Sequence, residues 1–262
     1  MTLAPRSPKG YEGVVSRAVL FALLVLTGCR SSEDSSVRVA AAANVARAFE
    51  ALSAQEKLDT RYSFGASGLL AKQLEQGAPF DVFVSADGSF ADQVVKAGVC
   101  DGATQRVWAV GRLSLVTPPG RPVPASLNEL ADARFRRIAL ANPETAPYGR
   151  AAMQALTKSA LLDAVRPRLV PGENALQTLQ FVDSGNAEAG FVPRSLLATD
   201  RPALLVDAAL HEPLELHAVV CAPEARRARA LAFLDALSSA RAQALLATFG
   251  YEAPRAAGGP AQ

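Results

Sequence analysis

Along residues 37–251 the apolar positions switch repeatedly between unbroken or alternating runs of four to eight and recurrences every three or four residues, the signature of alternating strands and helices. Val37-Arg38-Val39-Ala40-Ala41-Ala42 reads as a strand, and Asn44 stands where it can cap a helix whose Val45, Phe49 and Leu52 share one face. A short strand follows at Arg61-Tyr62-Ser63-Phe64. The turn Gly65-Ala66-Ser67-Gly68 then opens a helix over 69–76, with Ser67 as its candidate cap and Gly77 at the C′ position. Asp81-Val82-Phe83-Val84-Ser85 has the unbroken apolar run of a strand buried on both faces, and 89–97 is the next helix, closed by Gly98. Three successive strand–helix units make a doubly wound sheet the economical architecture.

The second half repeats the theme. Arg137-Ile138-Ala139-Leu140-Ala141 ends at the turn Asn142-Pro143-Glu144-Thr145-Ala146-Pro147-Tyr148-Gly149, which opens a helix through Ala151 and Leu156. Arg168-Leu169-Val170 leads to Pro171-Gly172-Glu173-Asn174, with Asn174 capping a helix that carries Leu176, Leu179 and Val182. Four strand ends thus run into small or capping residues at a helix start, where backbone N–H groups point outward without intrahelical acceptors and an anion is the natural ligand. Two other segments read as crossings between lobes. Residues 108–117 are long for one strand and contain Gly111, and Leu214-Glu215-Leu216-His217-Ala218-Val219-Val220 is expected to be the return crossing and to pair with 113–117. The expected division is 1–36 leader and tether, 37–111 plus 217–251 as one lobe, 112–216 as the other, and 252–262 as a disordered tail rich in Gly, Pro and Ala.

Composition narrows the function. Half of the 262 residues are hydrophobic, and 27 basic against 25 acidic residues leave a net charge of +2, too little field to suggest nucleic acid. Arg17 precedes an apolar run of signal-peptide length at 18–25, and Leu26-Thr27-Gly28-Cys29 follows it. That tetrapeptide resembles a lipobox, which implies export, cleavage before Cys29 and lipid attachment there, with 31–36 as a polar tether. The anchored protein would sit at a membrane in the periplasm. Cys100 and Cys221 are then free either to form a disulfide or to remain separate buried thiols. His211 and His217 have no metal-ligand spacing, so neither a metal site nor a cofactor is expected.

The turns Ala41-Ala42-Ala43-Asn44 and Phe64-Gly65-Ala66-Ser67-Gly68, the segment 73–87, the turn 142–149, Gly172-Glu173-Asn174 and the stretch 184–192 together resemble the periplasmic molybdate-binding proteins of ABC transporters, from Val37 to about Tyr251. The resemblance implies a class II periplasmic-binding-protein fold: two doubly wound α/β lobes, two crossover strands and a ligand cleft between the lobes. It implies capture of molybdate or tungstate, delivery to a membrane permease, and action as a monomer. The family's ligand positions carry over to Ala43, Asn44, Ser67, Tyr148 and Ala175. A tetrahedral dianion presents only acceptors, so amide, hydroxyl and backbone donors suffice to hold it without Lys or Arg. Two other classes compete: a carrier or sensor for another anion or small solute on the same fold, and a hydrolase using Ser67, His217 and Asp81. Against the hydrolase, Gly65-Ala66-Ser67-Gly68 lacks the Gly-x-Ser-x-Gly elbow.

Overall fold

A computed structural model of the chain describes residues 35–254, with Met1, Thr2 and Ala4. The leader, Cys29 and residues 255–262 of the expected tail lie outside the described residues. Ser36 is buried, and its carbonyl accepts from Arg226 Nη2 at 2.5 Å. The tether therefore stops one residue earlier than expected.

Ten strands follow: β1 Val37–Ala42, β2 Thr60–Gly65, β3 Val82–Ser85, β4 Asp101–Gly111, β5 Leu113–Val116, β6 Ile138–Ala141, β7 Leu169–Gly172, β8 Ala189–Pro193, β9 Leu204–Leu205 and β10 Leu214–Val220. They form two sheets, ordered β2-β1-β3-β10-β4 and β7-β6-β8-β5-β9. The sheets share one plan. β1 runs parallel to β2 and β3, as β6 does to β7 and β8, and in each sheet the next strand inward, β10 or β5, is antiparallel. Helices cover both faces of each sheet, so its central strands are apolar on both sides. Along β1, Val37, Val39 and Ala41 enter the core that also holds Phe49, Trp108 and Phe233, while Ala40 points into the opposite core with Leu70, Phe83 and Val219. That alternation is the period of a strand.

Three expectations are corrected here. First, 108–117 is two strands: β4 starts at Asp101, and the chain changes sheet across Arg112. Second, β10 does not pair with β5. It lies between β3 and β4, with Leu214 opposite Gly111 and Val219 opposite Phe83, so a lobe boundary at 216/217 cuts through a strand whose pairing places all of 214–220 in the first sheet. Alternating apolar content identifies a strand but carries no information about its partner. Third, the tail does not start at Glu252. That residue exchanges backbone hydrogen bonds with Val110, 2.8 and 2.9 Å, and pairs with Arg112. Cys100 and Cys221 are joined in a disulfide, at the foot of β4 and just beyond β10. A cross-link between residues 121 positions apart removes about 4–5 kcal/mol of unfolded-chain entropy.

Candidate functional site

In an open α/β sheet, ligands bind beyond the carboxyl ends of the strands, where strand order reverses. Both sheets aim those ends at each other. The turns after β1, β2, β3, β6 and β7 meet around one cavity lined by Ala42, Ala43, Asn44, Gly65, Ala66, Ser67, Ala86, Ala146, Pro147, Tyr148 and Ala175. All five residues carried over from the sequence, Ala43, Asn44, Ser67, Tyr148 and Ala175, lie on it. No lining residue is charged. The cavity is small: about 10 Å³ is open to the centre of a water-sized sphere, about what one water molecule needs. Larger depressions, such as that bordered by Arg47, Arg121 and Arg201, lie away from these turns.

Neither Asn44 nor Ser67 is the side-chain helix cap expected from sequence. Asn44 sits inside a 3-10 turn, Ala43–Val45, ahead of the helix Ala46–Glu56, and no side chain caps either element. Its main-chain oxygen accepts from Ser195 Oγ at 2.8 Å and from Tyr251 Oη at 2.9 Å, and its Nδ2 donates to the same phenol at 3.2 Å. Asn44 Oδ1 is buried without a hydrogen bond. A buried polar atom left so is uncommon and calls for an explanation. Ser67 is the first residue of the helix Ser67–Glu75, where Ala66 holds the cap position. Its Oγ accepts from Ala86 N at 3.1 Å, which leaves its hydrogen to donate.

Tyr148 opens the helix Pro147–Lys158, whose Pro147 fits the first turn because an N–H there has no intrahelical acceptor. Its Oη is buried without a hydrogen bond. Burial, reinforced by neighbouring Tyr251, pushes the phenol well above its ordinary range, and the nearby Asn44 side chain offsets only part of that. Tyr148 is thus a neutral donor at physiological pH. Gly111 makes room for it, since a Cβ there would lie 1.9 Å from Tyr148 Oη, and Gly149 lets the helix start close against β6, since a Cβ there would lie 2.0 Å from Ala141 O. Asn174 does cap its helix, Ala175–Asp183, accepting from Leu176 N and Gln177 N, and so aims the helix start at the cavity beside Ala175.

Sequence reasoning missed Ala86, Ser195 and Tyr251. The β3 turn had the same small-residue signal as the other turns and could have flagged Ala86; the contacts of Ser195 and Tyr251 depend on chain folding across 151 and 207 positions. The residues of the hydrolase alternative are not assembled. Asp81 is held by Arg38 and Arg226, His217 Nδ1 faces Gln105 Nε2 at 3.3 Å, and no hydrogen bond joins either to Ser67. Among the described residues no group of three or more His, Cys, Asp or Glu could hold a metal ion.

A family model described as bacterial extracellular solute-binding protein matches residues 37–252. The molybdate-binding protein ModA of Azotobacter vinelandii is 33% identical over 246 residues, spanning 90% of this chain and 97% of that one. ModA of Rhodobacter capsulatus is 33% identical over 195 residues, 72% of this chain and 76% of that one. Among solved structures, the Azotobacter vinelandii periplasmic molybdate-binding protein superposes with a TM-score of 0.79 at 29% identity, covering 84% of this chain and all of that chain. A sulfate-binding protein of Mycobacterium tuberculosis shares the fold at 16% identity and TM-score 0.69, covering 84% of this chain and 87% of that one.

Proposed function

We infer ligand and contacts from one premise: the chain belongs to the bacterial extracellular solute-binding proteins, in the family of molybdate-binding components of ABC transporters. It captures a tetrahedral oxyanion, molybdate, between its two lobes and hands it to a transporter permease; it acts by binding, without catalysis. The observation that supports this most directly is the convergence of five strand-end turns from two sheets on an uncharged cavity lined by hydrogen-bond donors.

The contacts proposed are the amide of Asn44, the hydroxyls of Ser67 and Tyr148, and backbone N–H groups at Ala43, Ser67, Tyr148 and Ala175. At about 1.5–3 kcal/mol per hydrogen bond to a charged group, about seven such bonds give a gross stabilisation of about 10 kcal/mol or more. After ordering costs, that supports micromolar or tighter binding. Fixed dipoles also leave no buried counter-charge stranded when the cleft opens. Sulfate is likewise a tetrahedral dianion with acceptors only, so cavity size does the selecting against it, and tungstate is accepted with molybdate.

Isothermal calorimetry of the purified protein tests this. The expected result is a molybdate and tungstate Kd of about micromolar or tighter, with sulfate and phosphate at least about 100-fold weaker. Absence of molybdate binding below millimolar would remove the proposal, and tighter binding of sulfate or phosphate would reassign the ligand. The lipobox-like Leu26-Thr27-Gly28-Cys29 supports a second element, a tether to the membrane by lipid on Cys29. Cells labelled with radioactive palmitate should yield a labelled protein that the Cys29→Ser variant does not. Equal labelling of both would rule the anchor out.

A further inference from the structure

No charged side chain lines the cavity, yet charge lies immediately outside it, at the ends of two of its turns. Asp87 follows Ala86, and Arg150 lies two residues beyond Tyr148. Arg150 Nη2 donates to Asp87 Oδ2 and, at 3.2 Å, to Ser89 Oγ, and its guanidinium carbon stands 5.1 Å from the centre of the Phe90 ring. Arg150 belongs to the second lobe; all three partners belong to the first.

The acceptor is fixed before the arginine reaches it. Asp87 caps the helix Gly88–Lys96 by accepting from Phe90 N at 3.3 Å, and it also accepts from Ser85 Oγ at 3.3 Å and Ser89 Oγ at 3.0 Å. Holding the carboxylate this way lowers the entropy cost of docking a long side chain on it. Other ties between the lobes among the described residues include the single bonds Gly68 N to Thr145 O at 2.9 Å, Ser195 Oγ to Asn44 O at 2.8 Å and Arg47 Nη1 to Leu196 O at 3.1 Å, and an ion pair of Arg112 with Glu252 at 2.5 Å at the crossover itself, where the chain changes sheet. Only the Arg150 contact combines an ion pair, a second hydrogen bond and a stacked ring. Half-exposed Arg150 sits at the rim, so it bears on opening without contacting an ion in the cavity.

We propose that Arg150 is a positioning residue that latches the lobes closed, and that breaking its contact with Asp87, Ser89 and Phe90 limits how fast a bound anion leaves. The proposal rests on the binding function above. An interaction present only in the closed state acts mainly on the dissociation rate. Because it is an ion pair at the rim, it is screened by salt, whereas the uncharged cavity contacts are screened far less.

Stopped-flow release of molybdate, chased with excess tungstate, tests this on wild type, Arg150→Ala and Arg150→Lys. Arg150→Ala should release about 5- to 10-fold faster, with association changed less than about 2-fold, and Arg150→Lys should recover part of the difference. Raising salt from about 0.05 to 0.5 M should speed release from wild type and leave Arg150→Ala nearly unchanged. A merely structural role would lower the melting temperature of Arg150→Ala and leave that salt response intact. Release rates within about 2-fold of wild type at every salt concentration overturn the latch. If wild type does not bind molybdate, the ligand reading fails by itself, and small-angle X-ray scattering then judges the latch. Arg150→Ala should be the more open molecule, and identical scattering overturns the proposal.

Discussion

Asn44→Ala is expected to raise the molybdate Kd about 10- to 100-fold, the cost of one hydrogen bond to a charged ligand, while moving the melting temperature by no more than about 3 °C. The asymmetry follows from the local hydrogen bonds. The substitution removes the Nδ2 bond to Tyr251, but it also removes the buried, unpaired Oδ1. The main-chain oxygen of residue 44 keeps both of its donors, Ser195 and Tyr251. No helix cap is lost, because Asn44 does not serve as one. Calorimetry paired with thermal unfolding separates the two quantities. Unchanged affinity would leave Asn44 a purely structural residue at the lobe contact. Ser67→Ala differs, since it strands the buried N–H of Ala86 and so weakens folding as well as binding.

The largest effect on stability falls elsewhere. Asp81→Asn should cost about 2–3 kcal/mol of folding free energy, read from the urea midpoint, because it removes the buried carboxylate charge that the guanidinium groups of Arg38 and Arg226 share. The Asp81 side chain is 1% exposed. Its oxygens accept from Arg226 Nε at 2.8 Å and Nη2 at 2.7 Å, from Arg38 N at 2.7 Å and from Arg38 Nη2 at 3.3 Å, tying β1, β3 and the helix Glu224–Ser238 together. Burial alone would raise the carboxyl pKa, but hydrogen bonds from Arg226 and Arg38 outweigh it and hold the group below its ordinary 3.8. A carboxylate whose folded pKa is depressed adds stability above its unfolded value, and that stability fades as pH falls through the folded one. Wild type should therefore lose stability below about pH 4, and Asp81→Asn should show a flatter acid limb. A cost under about 1 kcal/mol would mean the cluster contributes no more than an exposed pair.

How far the sequence carried the fold depended on how local the determinant was. Gly77 and Gly98 lie at φ +87° and +73° after their helices, and Asn174 caps its own helix, because those choices are made within a few residues. The four strand-end turns could be read for the same reason, whereas the five candidate ligand positions on them came from the family resemblance. What sequence did not supply was partnership. β10 carries the apolar pattern of a strand whether it pairs with β5 or inserts between β3 and β4. Asn44 resembled a cap because cap geometry is local, whereas the hydroxyls that claim its carbonyl come from Ser195 and Tyr251. Gly111 drew notice as a break in a strand; its physical reason is the phenol of Tyr148, 37 residues later in the chain and pressed against the Cα.

The sheet order also fixes a timetable. Every strand of the second sheet, from Leu113 to Leu205, is synthesised before Leu214–Val220, the strand that joins β3 to β4 in the first. A ribosome or translocation channel that delivers this chain from its amino end therefore releases β1 to β4 as an unfinished sheet, with a gap where β10 belongs. Cys100 likewise waits for Cys221 until the entire second lobe has emerged. The lobe that starts first is therefore the one finished last.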